Sequence, residues 1–291
     1  MLTDILATMR CPTCHTDLGL SIKEQQDNSH NIVSGTVVCQ ENHSWPIEDG
    51  VLVFSRDDAP SDPWSKSFKD YGKFVANKRY FMSQFASDVP TIIDSIPSNS
   101  IGPYLDICTG DGALLFNLLD KINLATPVVS VDMSLHAQKY NRRYFAETQG
   151  HRPVCFISSD ASQLPFKDGV IPCVISFGMG NMLGKFADGI REARRVLQDG
   201  GIFTFDHKYV DEDSKGWRTL KEALVDLGVE NCSYHGLQRD FNTLMQSINF
   251  SKYEIDVLKE IIGDADRDAD SGPIFPYPNE PMQKLLVRAW K

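Results

Sequence analysis

Four residues near the start of the chain, Cys11, Cys14, Cys39 and His43, form two short pairs, CxxC and CxxxH, with 24 residues between Cys14 and Cys39. Two such pairs on separate turns supply the four soft or borderline ligands that a tetrahedral zinc ion requires, while the polar segment between them makes a hairpin. Asp49 is an oxygen ligand that could take the place of His43, and His15, next to Cys14, is expected to point elsewhere. Four protein ligands leave no open position for water, so such an ion is structural. It would stabilise residues 1–55, which carry too few large apolar side chains for a core of their own.

A second constellation lies in the middle of the chain. The stretch LDICTGDGALL, residues 105–115, places a tight turn carrying Gly110 and Gly112 between a strand pattern and a helix pattern, with Asp106 at its mouth. The dinucleotide fingerprint fails, because Ala113, Leu114 and Leu115 stand where its third glycine is needed. The turn instead suits close approach of the backbone to a small ligand with an amino acid tail and a nucleoside. Asp132 follows Asp106 by 26 residues and ends the next strand pattern, where a carboxylate can accept hydrogen bonds from both ribose hydroxyls. Asp160 and Ala161 end a third strand, where a carboxylate and a backbone amide can read the edge of adenine, and SFGMGNM, beginning at Ser176, ends a fourth. At the end of a fifth, FTFDHKY offers Asp206, His207 and Tyr209, and a histidine that titrates near neutrality suits a general base. His207 is the candidate catalytic residue; His235, Tyr71 and Tyr80 are further ones.

These residues need a scaffold that brings strand ends together. From Ile101 the chain alternates strand-like and helix-like segments, which predicts a parallel sheet with crossover helices on both faces and a ligand at the carboxyl ends of its strands. WRTLKEALVDLGV and LQRDFNTLMQSINF read as helices, and KYEIDVLKE and QKLLVRAWK as the strands that close the sheet. Residues 64–96 read as one or two helices capping a cleft, with Trp64, Phe68, Tyr71 and Phe74 either lining an acceptor pocket or forming a buried face. GDADRDADSGPIFPYPNEP has the alternating acids of a calcium loop, but Phe275 replaces the terminal bidentate glutamate, so it reads as a loop over the cleft. The expected divisions are a zinc ribbon over 1–55, a linker with capping helices over 56–98, and a catalytic domain over 99–291.

Five stretches, LDICTGDG, VVSVDMS, DASQLPFKDG, FGMGNM and EARRVLQDGGIFTFD, match in order and spacing the motifs of class I S-adenosylmethionine-dependent methyltransferases, and the chain from 99 to about 208 resembles that family. The last three are especially similar to those of ubiquinone and menaquinone C-methyltransferases. The resemblance implies a Rossmann-like, doubly wound, mostly parallel α/β sheet of seven strands, and S-adenosylmethionine as methyl donor. It places Gly110 and Gly112 against the methionine moiety, and Asp106 orienting its ammonium through the loop. Asp132 would hold the ribose, Met133 would lie against the adenine ring, Asp160 with Ala161 would contact its edge, and Phe177 would close the pocket at the fourth strand. Cys108 stands where many members have the first glycine of the turn and is included among the cofactor-binding residues; VIPCV replaces the usual Phe-Asp pair before the fourth strand. The amino-terminal segment resembles the zinc domain of bacterial large-subunit rRNA guanine methyltransferases and the small zinc proteins that activate tRNA methyltransferases. The gap between its ligand pairs is longer than in the former.

Composition narrows the partners. A 291-residue chain with 42% hydrophobic and 23% charged residues is expected to fold as a soluble protein, and its net charge of −10 repels polyanions at long range. No apolar stretch approaches a membrane span, the amino terminus lacks a signal-peptide pattern, and an odd count of seven cysteines fits a reducing compartment, so a cytoplasmic protein is expected. Charge and motifs favour a small-molecule acceptor. The alternatives are an rRNA or tRNA base, reached through Lys66, Lys69, Lys73, Lys78 and Arg79, or a non-catalytic scaffold that docks a partner methyltransferase. A homodimer is compatible with either assignment.

Overall fold

In the computed structural model of the chain, the residues described are 5–21, 25–26, 32–55, 70–76, 88–97, 102–150, 152–181, 185–226, 228–264 and 277–291. The alternating patterns beyond residue 100 form β6 (Tyr104–Ile107), α2 (Ala113–Lys121), β7 (Val128–Asp132), α3 (Leu135–Thr148), β8 (Val154–Ser158), β9 (Ile171–Ser176), α4 (Phe186–Val196) and β10 (Leu197–Val210). They are followed by α5 (Lys215–Asp226), α6 (Gln238–Ser247), β11 (Lys252–Ile262) and β12 (Pro281–Trp290), and preceded by α1 (Asp88–Asp94). Before α1 come β1 (Leu18–Leu20), β2 (Gln25–Gln26), β3 (Ile32–Cys39), β4 (Ser44–Glu48) and β5 (Val51–Val53).

Strands β6 to β9 are buried along their whole length, as parallel strands covered on both faces must be. Alternate residues feed two cores. Leu105, Ile107, Val174 and Phe205 pack with α4 and α6 through Phe186, Ile190, Phe241 and Leu244. Tyr104, Val128, Phe156 and Ile175 pack on the other face with α1, α2 and α3 through Ile92, Leu118 and Phe145. Each large apolar side chain buried this way stabilises the fold by about 1.5–3 kcal/mol relative to exposure.

The sheet runs in the order β1-β3-β4-β5-β8-β7-β6-β9-β10-β12-β11, with β2 paired to β3. The seven strands from β6 onward run in the order β8-β7-β6-β9-β10-β12-β11, with β12 antiparallel to both β10 and β11. The expected limit of seven strands is incorrect. β5 pairs in parallel with β8, Val51 against Phe156 and Val53 against Ser158, and carries β4, β3 and β1 into the same sheet. A bare β8 edge would present a row of unpaired backbone groups, and the wholly buried β5 satisfies them while covering its own apolar side chains.

β6 lies between β7 and β9, so the strand order reverses there and a crevice opens at the carboxyl ends of these strands. Helical residues 71–76 pack on α3, where the Tyr71 hydroxyl donates to Glu147 at 2.6 Å, Arg143 lies 3.8 Å above the Tyr71 ring, and buried Phe74 meets Tyr140. Tyr71 and Phe74 therefore form a packed face on α3. Trp64, Phe68, Tyr80 and the basic residues Lys66, Lys69, Lys78 and Arg79 lie outside the described residues, as does most of the acidic segment before β12.

Candidate functional site

The turn after β6 is built from left-handed backbone. Gly110 and Gly112 have φ of 55° and 79°, and Cys108 has φ of 58°. Glycine reaches that region without a Cβ clash, whereas cysteine there is strained. Two neighbours grip Gly110: its N–H donates to Asp132 Oδ2 at 2.8 Å, and its carbonyl accepts from Asn141 Nδ2 on α3 at 2.8 Å. The other Asp132 oxygen accepts from the Ser134 N–H at 2.9 Å, at the start of α3. Each carboxylate oxygen has two lone pairs, so Asp132 retains acceptor capacity for a ligand diol.

Three of the acids expected at the site, Asp106, Asp132 and Asp160, surround Cys108. Burial first, then the charges of Asp132, Asp106 and Asp160, push the Cys108 thiol well above its ordinary range, so it stays protonated. Met133 is 46% exposed just beyond the end of β7, next to buried Asp132. Asp160 caps the short turn Ala161–Gln163, accepting from the Ser162 N–H at 2.9 Å and its hydroxyl at 2.7 Å, and pairs with the Lys185 ammonium. Burial opposes its ionisation, but the Lys185 and Ser162 donors outweigh that and hold the carboxyl below its usual range.

Cys108 is the position where sequence and backbone disagree most. A left-handed non-glycine residue costs about 1–2 kcal/mol, and glycine returns about 0.4–1 kcal/mol of that to the unfolded chain as entropy. Cys108→Gly should therefore stabilise the protein by about 0.5–1 kcal/mol, read as a higher urea midpoint at unchanged slope.

Two strands from β6, His207 on β10 is 3% exposed and stacked between two rings, with centroids 4.0 Å from Phe241 and 5.2 Å from Phe186. Burial, then the nearby Lys208 and His235 charges, hold its imidazole well below its usual pKa, so it is neutral across the physiological range. His235 is also buried, with Nδ1 3.4 Å from the Gly180 carbonyl, and burial brings it down to about 4. Tyr209 is buried, its hydroxyl 3.3 Å from Asn242 Oδ1. Asp206 accepts from the Gly178 N–H at 2.6 Å, and burial keeps its carboxyl above the usual range even with Lys284 and that amide drawing it down.

Sequence patterns did not single out the ion cluster beside Asp206. Lys284 Nζ lies 2.8 Å from Asp88 Oδ2, 3.8 Å from Asp206 Oδ2 and 4.5 Å from the centre of the Phe177 ring. Lys259 Nζ lies 2.8 Å from the other Asp88 oxygen. Lys208 pairs in register with Lys284, and burial pushes its ammonium below the ordinary range. A lysine inside the apolar run KLLVRAW was the available signal.

Residues 90–215 match the ubiE/COQ5 methyltransferase family. The ubiquinone/menaquinone biosynthesis C-methyltransferase UbiE of Pseudomonas syringae pv. tomato is 27% identical over 172 residues, which cover 46% of this chain and 67% of that protein. The UbiE of Pseudomonas fluorescens is 26% identical over 183 residues, 50% of this chain and 71% of that protein. The chain is a methyltransferase that uses S-adenosylmethionine. Two solved structures share its fold: the YcgJ protein of Bacillus subtilis, with TM-score 0.52 at 14% identity over 70% of this chain and 97% of that one, and geranyl diphosphate C-methyltransferase of Streptomyces coelicolor A3(2), with TM-score 0.53 at 14% identity over 70% and 75%. The family match spans β6 to β10 and leaves the amino-terminal cysteines outside it.

In the methyltransferase those cysteines come together. The ligand atoms of Cys11, Cys14, Cys39 and His43 all lie within 4.8 Å of one another. Cys14 Sγ is 3.5 Å from Cys39 Sγ, and His43 Nδ1 is 3.3 Å from Cys39 Sγ and 3.7 Å from Cys11 Sγ. The ligands of a tetrahedral zinc ion with Zn–S of about 2.3 Å stand roughly 3.5–3.8 Å apart, so donor set and spacing fit that ion. The Thr16 hydroxyl, 3.1 Å away, is the largest influence that brings the Cys14 thiol down to about 6, toward the ligating thiolate. His15, with φ of 62°, is outside the group, and Asp49 pairs with Lys139 at 3.0 Å instead.

Proposed function

We propose that the methyltransferase transfers a methyl group to a carbon of a small aromatic acceptor of the quinol or phenol class, at the carboxyl edge of β6, β7, β8 and β9. The match of residues 90–215 to the ubiE/COQ5 family is the observation that carries this reading. The ubiquinone/menaquinone enzymes that align with the chain support the acceptor class, and the net charge of −10 weighs against a polyanion. S-adenosylmethionine supplies an electrophilic methyl group on a sulfonium.

The chain's own residues bind and orient. In this reading Gly110 and Gly112 let the backbone approach the methionine moiety, and Asp106 orients its ammonium through the turn. Asp132 holds the ribose, Met133 offers a platform for adenine, and Asp160 with the Ala161 amide contacts its edge. Cys108 lines the turn, and Phe177 closes the pocket at β9. In-line displacement gains most from alignment and exclusion of water, so no base is needed until an acceptor proton must leave. Cys11, Cys14, Cys39 and His43 hold a structural zinc ion, and residues 1–55, 56–98 and 99–291 stand as metal-bearing, linking and catalytic divisions.

For His207 the aromatic stacking and low basicity favour a packing part. His207→Phe should retain turnover, and the parent enzyme should show no rate inflection from this residue between about pH 6 and 7. Loss of turnover in folded His207→Phe and His207→Gln proteins alike would return it to catalysis.

The direct test offers labelled S-adenosylmethionine with quinol and phenol pools in one arm and bulk RNA in the other. Uptake into an aromatic ring carbon is expected. Uptake into RNA alone would replace the proposed acceptor with a nucleic-acid base, and loss of RNA labelling with salt would identify phosphate contacts.

A further inference from the structure

The segment holding the four candidate metal ligands is attached to the cofactor edge at two places, one for each ligand pair. Ahead of Cys11, Met9 bridges to Phe166 in antiparallel fashion, the Arg10 N–H donates to the Pro165 carbonyl at 3.1 Å, and the Lys167 N–H donates to the Thr8 carbonyl at 2.9 Å. Beyond His43, β4 leads to β5, which lies along β8. The stretch between these attachments, Ser158 to Phe166, contains Asp160 and Ala161.

Ser158 is the junction. Its carbonyl accepts from both the Phe54 N–H, at 2.8 Å, and the Ser55 N–H, at 3.0 Å. Its hydroxyl lies 2.7 Å from the Ser55 carbonyl and 3.2 Å from the Met133 carbonyl. Its register partner on β7 is Asp132, whose carbonyl accepts from the Ser159 N–H at 2.9 Å. Fully buried Ser158 thus ties the residues after β5 to the Met133 carbonyl, and its neighbour Ser159 holds that of Asp132. A second tie lies on the surface, where Lys139 of α3 pairs with Glu48 at 3.2 Å and with Asp49 at 3.0 Å.

We propose that the amino-terminal metal-ligand segment is a structural wall of the S-adenosylmethionine site, with Ser158 as a positioning residue through which metal occupancy sets cofactor affinity. The inference rests on the zinc and cofactor assignments proposed above. An ion joining Cys11 and Cys14 to Cys39 and His43 would brace the two hydrogen-bonded attachments that flank Ser158 to Phe166 against each other. That brace restricts the backbone positions open to the adenine-side turn, so less ordering remains when the nucleoside binds. The relation is reciprocal, and bound cofactor should raise the affinity for the metal by the same factor.

The full-length protein tests this, with metal content measured beside S-adenosylhomocysteine affinity by calorimetry. Chelation should remove about one zinc per chain, raise amide exchange at Phe54 and Ser55, and weaken S-adenosylhomocysteine about tenfold, with recovery on adding zinc. Ser158→Ala keeps all four metal ligands and decides the matter if chelation unfolds the chain. It should retain its zinc, raise the KM for S-adenosylmethionine about five- to tenfold, as loss of one buried hydrogen bond does, and leave kcat and the acceptor KM unchanged. Zinc removed with affinity and the exchange of Phe54 and Ser55 unchanged would overturn the inference and leave the zinc assignment standing. A chain that binds no zinc would overturn both. Ser158→Ala with the parent KM would remove the serine from the proposal.

Discussion

Asp132→Ala should weaken S-adenosylmethionine binding by about a hundredfold or more, the largest loss expected from any single replacement at the cofactor edge. Two contributions add. Hydrogen bonds from a ribose diol to a charged acceptor are worth about 1.5–3 kcal/mol each, so losing both alone reaches that factor. Alanine also leaves the Gly110 and Ser134 N–H groups, now 2.8 and 2.9 Å from the carboxylate, without their acceptor in a buried turn. Each costs about 1–3 kcal/mol, part of it as lower stability and part as disorder of the glycine turn. Calorimetry with S-adenosylhomocysteine measures the first effect and urea unfolding the second. Asp132→Asn separates them, because its single carbonyl oxygen can serve Gly110 while the amide confronts the Ser134 donor. Full affinity in a folded Asp132→Ala protein would refute the ribose assignment.

Lys284→Met should cost about 3–5 kcal/mol of stability, the penalty of removing one partner from a buried ion cluster. Lys284 is 9% exposed and lies between two carboxylates, Asp88 at 2.8 Å and Asp206 at 3.8 Å. Methionine fills similar volume, so the loss reports charge more than packing. Burial already holds Asp206 above its usual carboxylate range, and without the Lys284 ammonium it should rise further. A raised folded-state value favours the protonated form of the native protein. Its contribution to stability is full below the unfolded pKa and disappears as pH rises through the raised one. The deficit of the variant against the parent should therefore be greatest at neutral pH and shrink toward pH 4. Urea midpoints across that range test it, and a deficit that does not vary with pH would assign the loss to packing.

Local readings survived where the information was local. The strand-turn-helix after Tyr104 is written in period-2 and period-3.6 patterns, and the turn lengths place Gly110 beside Asp132 without reference to the rest of the chain. The two ligand pairs needed only their short spacings to suggest a metal, and they meet within 4.8 Å. The strands closing the sheet were legible for the same reason. His207 was picked out by strand-end position, but its position could not show that Phe186 and Phe241 sandwich it.

The sequence by itself determined the types of the main elements, the glycine turn after β6 and the two short pairs of candidate metal ligands, because each depends on residues a few positions apart. The tertiary structure decided that β5 joins β8 and extends the sheet beyond seven strands, since VLVF reads as a buried strand without naming its partner. It alone brought Asp88 to Lys284 across 196 positions of sequence, and Thr8 to Arg10 onto Pro165 to Lys167. Hydrophobic periodicity states which face of an element must be covered. What covers it is settled by competition among all elements for the same edges and faces, and a buried charge is tolerated only where that competition also delivers its counterion.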